Sequence, residues 1–445
     1  MSARIFSKIA IAAVVLLCAS AANAGAQAYS GYSPYSIYGV GDFPLPGTAY
    51  NRSMGGVGIA SRNNRFLNPL NPAAVTARDT LAFMADFSVY GDNKIFSQGS
   101  AQTANNVFNM GDIIFSFPIY KSSAMMVGIM PYSTTGYSYS FEYNDPSVLG
   151  KTGTVQYTAY GQGAIYQLFA AAGVTFFKRI SLGAQATYYF GNTGKEFYET
   201  FGDSSFNGAK NGYNIESKAV AGKFGIQYEQ PLGSKSSIIV GATYTMGSKL
   251  KGVIEGYKYS TGTAATDTLY HKMDTLSLPS SKARLASEIG IGICFKYADK
   301  LQAEFDWTRS DWSACGLDST PGLMGNTAST ATSSAFSASV SQAFRVGFEY
   351  VPNRNDIRYF YKKIAYRAGA YYKTDYYKLD GNTITAMGIT VGATIPVFRW
   401  YNGLTVGIDF GQRGALNDNL IQEKYINFSV GMNIFDIWFQ KPRYE

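Results

Sequence analysis

Residues 426–435 read Ile426-Asn427-Phe428-Ser429-Val430-Gly431-Met432-Asn433-Ile434-Phe435. In an extended chain Ile426, Phe428, Val430, Met432 and Ile434 share one face, and Asn427, Ser429, Gly431 and Asn433 the other. Alternation of period 2 over about ten residues is the length a tilted strand needs to cross a bilayer. One face is apolar and the other polar or small, as in a barrel wall that separates lipid from lumen. Trp438 and Phe439 follow, where an interfacial aromatic girdle would lie. The last strand of a soluble sandwich shows the same alternation, so the rest of the chain decides.

The pattern recurs upstream. Leu81, Phe83, Ala85, Phe87 and Val89 alternate with Ala82, Met84, Asp86 and Ser88, and Ile113, Phe115, Phe117 and Ile119 stand opposite Ser116. Ala124–Met130 reads as a strand ended by Pro131, followed by Thr154–Gln162, Ile165–Phe176, Ile180–Phe190, Ile215–Glu229, Ile238–Thr245, Ser287–Tyr297, Leu301–Arg309, Ser337–Tyr350 and Ile364–Thr374. Met387–Ile395 and Leu404–Phe410 lead to the final strand, and their polar faces carry Gly388, Gly392 and Gly407, which suit a crowded lumen or a bend in the sheet. With one or two weak strands between Lys249 and His271 the count is about 14–16, and bacterial single-chain barrels take even numbers. Long polar stretches at Asn192–Gly212, Tyr257–Lys282 and Ser313–Ser334, the last with the low-complexity run Thr327–Ser334, read as loops. Phe177-Lys178-Arg179 and Ala298-Asp299-Lys300 read as short turns. Long loops at one end and short turns at the other suit an outer-membrane barrel.

Composition agrees. Charged residues make up 15% of the chain, against roughly 25% in ordinary globular proteins. Mean hydropathy is −0.08, and no stretch after residue 28 approaches the roughly 18 apolar residues of a spanning helix. Arg4 and Lys8, an apolar core from Ile9 to Leu17, and small residues before Ala24 and Ala28 form an export signal. Leu17 is too bulky to precede a lipidated Cys18. Residues 1–28 are therefore set apart as a cleaved signal peptide, which lowers the net charge from +8 to +6. The mature chain keeps Cys294, in an alternating strand-like run, and Cys315; they could pair in an oxidising periplasm. The single His271 sits in a loop-like stretch. A His/Cys metal cluster or a Ser/His/Asp triad needs more such residues, so neither catalysis nor a metal or cofactor is expected.

Residues 29–80 differ from all that follows. Tyr29–Pro46 is rich in Tyr, Ser, Gly and Pro without a sustained period, and Gly and Asn-Pro steps at Met54-Gly55-Gly56-Val57-Gly58 and Asn68-Pro69-Leu70-Asn71-Pro72 write turns. An irregular segment of this length needs a shelter, and a barrel lumen offers one. Gly55–Gly58 has neither the preceding strand nor the Lys-Ser/Thr ending of a phosphate loop.

The segment carrying Met54-Gly55-Gly56 and Asn71-Pro72-Ala73-Ala74 resembles the N-terminal hatch of the long-chain fatty-acid transporter (FadL/TodX-type) family of outer-membrane proteins. Tyr35-Ser36-Ile37-Tyr38-Gly39-Val40-Gly41, Pro131-Tyr132-Ser133, Gly136-Tyr137-Ser138, Gly161-Gln162-Gly163 with Gln167, Tyr189-Phe190-Gly191 and Asp436-Ile437-Trp438-Phe439-Gln440-Lys441 resemble its Bacteroidota branch. The resemblance spans residues 29–445 and implies a 14-stranded barrel (81–445) plugged by its N-terminus (29–80). It also implies passive uptake of hydrophobic molecules of the fatty-acid or hydrocarbon class, released sideways through a wall gap as the hatch shifts. The hatch residues Met54, Gly55, Gly56, Asn71 and Pro72 carry over; no substrate-contacting residue does. The Bacteroidota branch also includes barrels that are parts of secretion or outer-membrane assembly machines, which keeps an accessory, non-transporting subunit as the alternative.

Asp86, Arg345, Glu349, Arg367 and Asp409 fall on inferred lumen faces. Arg345 or Arg367 could take a substrate carboxylate bidentately, but pairing with Glu349, Asp409 or hatch carbonyls is the simpler expectation for a buried charge. Asp306-Trp307 and Asp311-Trp312 read as a strand leaving the membrane with indoles at the interface. The expectation is therefore an all-β, transmembrane antiparallel barrel of about 14 strands with a plug in the lumen, set in the outer membrane. Its expected partners are outer-membrane lipid and lipopolysaccharide, a hydrophobic ligand or an outer-membrane protein complex, and not nucleic acid. A continuous apolar cavity from the extracellular loops to a wall gap would favour transport; a lumen filled by polar packing, with an apolar outer patch too broad for lipid alone, would favour the complex.

Overall fold

The computed structural model describes residues 31–78, 82–120, 122–143, 153–203, 205–261, 268–278, 282–325, 335–397, 403–417 and 420–437. The expected export signal at 1–28, Trp438–Phe439 and Thr327–Ser334 lie outside them.

The chain forms a closed antiparallel barrel of 14 strands. In order these are β1 (Ala82–Gln98), β2 (Ala101–Tyr120), β3 (Ser123–Tyr143), β4 (Val155–Phe176), β5 (Ile180–Phe201), β6 (Gly208–Leu232) and β7 (Ser236–Thr245), then β8 (Glu288–Tyr297), β9 (Leu301–Asp311), β10 (Val340–Tyr350), β11 (Ala365–Leu379), β12 (Asn382–Pro396), β13 (Gly403–Arg413) and β14 (Gln422–Ile437). Each strand pairs with its sequence neighbour, and β14 closes on β1 from Ala82↔Ile437 to Ser97↔Gln422. Closing the sheet on itself pairs backbone groups from strand to strand, which is what spanning a bilayer with strands demands.

The alternation places side chains as expected. Ile426 and Met432 of β14 are exposed, while Ser429 and Asn433 are buried. Leu168, Phe224, Ile291, Phe305, Phe348 and Ile389 continue the outward apolar belt. Tyr228, Tyr297, Tyr350 and Tyr366 flank it at the short-turn end, and Tyr188, Tyr244 and Tyr372 at the other. Among the described residues no helix is long and apolar enough to cross a membrane.

Several boundaries move. Pro131 does not end a strand: β3 runs through it, and the register slips by one residue between Pro131 and Ser133. Thr154–Gln162 and Ile165–Phe176 are one strand, β4, kinked at Gly163, whose φ is +124°. Asn192–Gly212 is mostly not a loop, because β5 and β6 continue to Phe201 and from Gly208. Backbone pairing needs no apolar face, and above the belt polar cross-strand groups replace it: Lys210 lies 3.2 Å from Glu196, which also accepts the Tyr257 hydroxyl at 2.7 Å. Likewise Tyr257–Lys282 contains much of a hairpin, Lys251–Thr261 with Thr268–Ser277, laid on the upper half of β6. His271 is thus in a strand, opposite Lys258. Cys294 and Cys315 are both free thiols, and burial pushes the loop thiol of Cys315 up to about 11.

Candidate functional site: the filled lumen

Residues 31–78 lie against the inward faces of the strands, and most of their side chains are buried. The local chemistry is that of turns. Asn71 accepts from the Ala73 N–H at 3.0 Å to start a short 3-10 turn, Pro72–Thr76. Asn51 and Asn68 tie the Gly-rich stretch together, Asn51 Nδ2 donating to Val57 O at 2.8 Å and Asn68 Nδ2 to Gly58 O at 2.6 Å.

The wall gives way where this segment passes. Glycines from successive strands face inward at one level. Their register runs Gly173↔Gly183↔Gly225 across β4–β6, Gly241↔Gly292 across β7–β8, Gly347↔Gly369 across β10–β11 and Gly392↔Gly407 across β12–β13. A Cβ at Gly392 would fall 2.6 Å from Ser53 Cβ, one at Gly347 2.6 Å from Met54 O, one at Gly431 2.6 Å from Ala49 Cβ, and one at Gly173 2.9 Å from Val75. At Gly183 it would overlap the backbone of Pro72 and Ala73, and at Gly369 that of Met54 and Gly55. The segment is therefore clasped from β4 to β14 by contacts that leave no room for a methyl group.

Side chains complete the clasp. Asp306 Oδ2 of β9 accepts the N–H groups of Gly58 (2.7 Å) and Ile59 (2.9 Å), and Glu304 Oε1 that of Ala60 (3.0 Å). Gln227 of β6 donates to Ile59 O and Ser61 O, and Thr390 of β12 accepts from Gly55 N at 2.8 Å. Gly55 and Gly56 both hold positive φ, +74° and +79°, so L side chains are strained there. Nearer the loop end, Arg413 binds Asp42 at 2.7 Å and Asp375 at 2.7 Å, lies 3.6 Å from Glu423, and covers the Tyr35 ring at 4.8 Å. Burial alone would raise the Asp42 carboxyl; Arg413, with Lys94 and Lys373, outweighs it and holds Asp42 below the ordinary carboxylate value.

Of the anticipated residues, Met54 and Gly55 sit on the glycine belt beside Gly369, and Asn71 and Pro72 beside Gly225. Gly56 faces Pro46 and Leu45 within the segment itself. Arg367 and Glu349 come together, Nε to Oε2 at 2.9 Å, with Arg354 on the other oxygen at 3.0 Å. The Arg367 guanidinium also covers Tyr50 (4.5 Å) and Phe66 (4.8 Å), rings stacked on each other in the N-terminal segment. Asp409 accepts the Tyr371 hydroxyl, 3.0 Å from each oxygen, and lies apart from that group. Arg345 donates to Thr308 Oγ1 at 3.1 Å. It lines a cavity of about 240 Å³ with Lys223, Glu288, Lys373 and Tyr132. Asp86 is buried beside Asp112 in the lower barrel.

Beside this cavity lies an apolar cluster that includes Val40, Ile215, Leu285, Leu317, Leu323, Tyr376 and Ile384. Trp312 belongs to it: it is buried, donates to Ser310 Oγ at 3.0 Å and packs on Tyr376 at 4.9 Å, so it is no interfacial indole. Asp306, expected only to mark a strand end, proves to be the main anchor for Gly58 and Ile59. Lumen parity along β9 and β13 was the available signal for Glu304, Asp306 and Arg413; what they bind was not readable from it.

A BamG family model matches residues 6–445, nearly the whole sequence. The chain belongs to the BamG family. No curated protein matches it. The fold of this BamG-family chain is similar to that of the Ralstonia pickettii toluene transporter TbuX, at 14% identity and TM-score 0.56, over 87% of this chain and 97% of that one. It is similar to the CymD monoaromatic hydrocarbon channel, at 14% identity and TM-score 0.55, over 89% and 100%. A Pseudomonas aeruginosa FadL homologue matches at 12% identity and TM-score 0.52, over 89% and 99%. The BamG-family chain thus has the fold of FadL-like outer-membrane channels, with residues 31–78 packed against the inward faces of its strands.

Proposed function

We propose that the protein is an exported outer-membrane barrel of the Bacteroidota branch whose residues 29–80 form a fixed plug, and that it serves as an accessory subunit of an outer-membrane protein assembly complex. The observation that carries this reading is the glycine belt. A hatch that shifts to let solute pass needs sliding room, whereas here Gly183, Gly241, Gly347 and Gly369 lie directly on the segment's main chain and Gly392 and Gly431 on its Cβ atoms. Every step of movement would break buried hydrogen bonds to Asp306, Glu304, Gln227 and Thr390, each costing about 1–3 kcal/mol. Membership of the BamG family supports the same reading. A rigid, filled barrel offers its rims and outer wall rather than its interior.

Passive uptake of a hydrophobic small molecule is the second reading. The fold likeness to a toluene transporter and a monoaromatic hydrocarbon channel favours it, and so does the lumenal cavity beside Tyr132. Against it, that cavity carries Lys223, Glu288, Arg345 and Lys373.

The test is extraction from native outer membranes in mild detergent, with mass spectrometry of proteins and lipids in the same sample. A reproducible stoichiometric set of outer-membrane proteins is the expected result. Co-purified fatty acid or hydrocarbon with no stoichiometric protein would overturn the accessory reading and leave uptake.

A further inference from the structure

The barrel wall splits at one place. Strands β2 and β3 pair from Tyr120↔Ser123 up to Ile113↔Ile129 and no further. Two irregularities adjoin that last rung. Gly111 is an extra residue in β2, where the pairing with β1 passes from Ser88↔Asp112 to Val89↔Met110. Pro131, which has no N–H, precedes the slip in β3 that leaves Tyr132 outside the β4 register. Bulges turn strands away from their partners, and here both strands turn at the same height.

The two edges so exposed differ. That of β3 is covered from inside: Asp42 and Thr134 exchange two backbone hydrogen bonds at 2.8 and 2.9 Å, Ser33 N donates to Gly136 O at 2.7 Å, and Gly136 N donates to Ser36 Oγ at 3.0 Å. That of β2 is not. Among the described residues, Ala101–Asp112 pairs with β1 alone and has no strand on its far side. Most of Ala101–Met110 is exposed. Phe108, against Phe428, lies on the outward apolar face, and outward residues of β2 above it are Asn106, Ala104 and Gln102, with Ile95 of β1 beside Ala104. From Val107 upward the edge therefore stands above the outward aromatic pair Phe108–Phe428, where unpaired backbone groups are compatible with water, while Phe108 to Asp112 runs along the apolar face. Protein edges of this kind are ordinarily guarded by Lys, Pro or a cover. Ala101–Asp112 contains no Lys, Arg or Pro.

We infer that the outer edge of β2, Ala101–Asp112, is a docking site for an extended strand of another polypeptide, joined by backbone pairing; this rests on the accessory-subunit reading. A row of alternating N–H and C=O groups selects a strand over a helix or a folded polar surface, because only a strand matches its spacing. The neutral side chains alongside, Asn105, Asn106 and Asn109 among them, set no charge requirement on the partner.

The experiment is residue-resolved amide hydrogen exchange over 101–112, on the full-length protein alone in detergent and in the complex drawn from native outer membranes. Alone, the amides bonded to β1 exchange slowly and those between them fast. In the complex the fast set slows by about tenfold or more. If it stays fast while stoichiometric partners are present, the edge is merely solvated, and this inference falls while the accessory reading stands. A set already slow in the isolated protein would mean that β3 closes the seam, and the inference falls in the same way. If no protein co-purifies, both fall. Ala104→Pro and Asn105→Pro give a second measurement, since only one of two adjacent N–H groups faces the free edge. The variant that removes that N–H loses the partner while keeping the heat-modifiable migration of a folded barrel; retention of the partner by both variants would overturn the inference.

Discussion

Asp306 holds Gly58 from across the lumen: its Oδ2 accepts the Gly58 N–H at 2.7 Å while also taking that of Ile59 at 2.9 Å. One carboxylate oxygen on β9 thus fixes the turn on which the N-terminal segment pivots. Gly292, on the neighbouring strand, leaves the space that carboxylate occupies. Asp306→Ala strands two buried N–H groups and is expected to destabilise the barrel by about 2–4 kcal/mol. Urea unfolding in detergent micelles, followed by gel migration and tryptophan fluorescence, measures it, and limited proteolysis should cut first near residues 55–61.

At Gly369 the cost is steric. A methyl group there meets the Met54–Gly55 backbone, which the clasp prevents from retreating. Gly369→Ala should cost about 1–3 kcal/mol. Gly194→Ala, where the nearest atom is 3.6 Å away, should be close to neutral. Equal unfolding midpoints for the two variants would show that the segment can yield.

Glu349 satisfies Arg367 and Arg354 together. Removing it leaves a buried guanidinium against the Tyr50–Phe66 stack, and Glu349→Ala should lose about 3–5 kcal/mol. Glu349→Met combined with Arg367→Met should recover much of that loss, because no buried charge then lacks a partner. A double-mutant cycle on unfolding midpoints checks the coupling.

The Asp42 carboxyl, depressed by Arg413, makes its contribution depend on pH. A group whose folded value lies below its unfolded one stabilises above the unfolded value, about 3.9, and loses that contribution as pH falls through the folded value. Asp42→Asn should therefore melt below wild type at pH 7, by about 1–3 kcal/mol. The gap should close as pH is lowered beneath the ordinary carboxylate range, where wild type itself becomes protonated. A gap unchanged from about pH 7 to about pH 2.5 in thermal melts would assign the loss to shape rather than charge.

Much of the barrel was legible in the chain. The period-2 pattern from Ile426 to Phe435 and in Met387–Ile395 and Leu404–Phe410 fixes which side chains meet lipid, because burying one face of a strand admits only one parity. The same parity put Arg345, Glu349, Arg367 and Asp409 inside, and glycines on the polar faces pointed to a crowded lumen. Strand ends above the belt were not legible. Tyr198, Glu196 and Lys210 form a ladder whose backbone bonds carry no hydrophobic signal. Nor was the level at which Gly173, Gly183, Gly241, Gly369 and Gly407 line up, since strand stagger is settled by closure of the sheet rather than by any one strand. The pairing of Asp306 with Gly58, residues 248 positions apart, likewise exists only once the barrel is closed. Local alternation determined that there is a wall and which way it faces; closure alone decided what that wall grips.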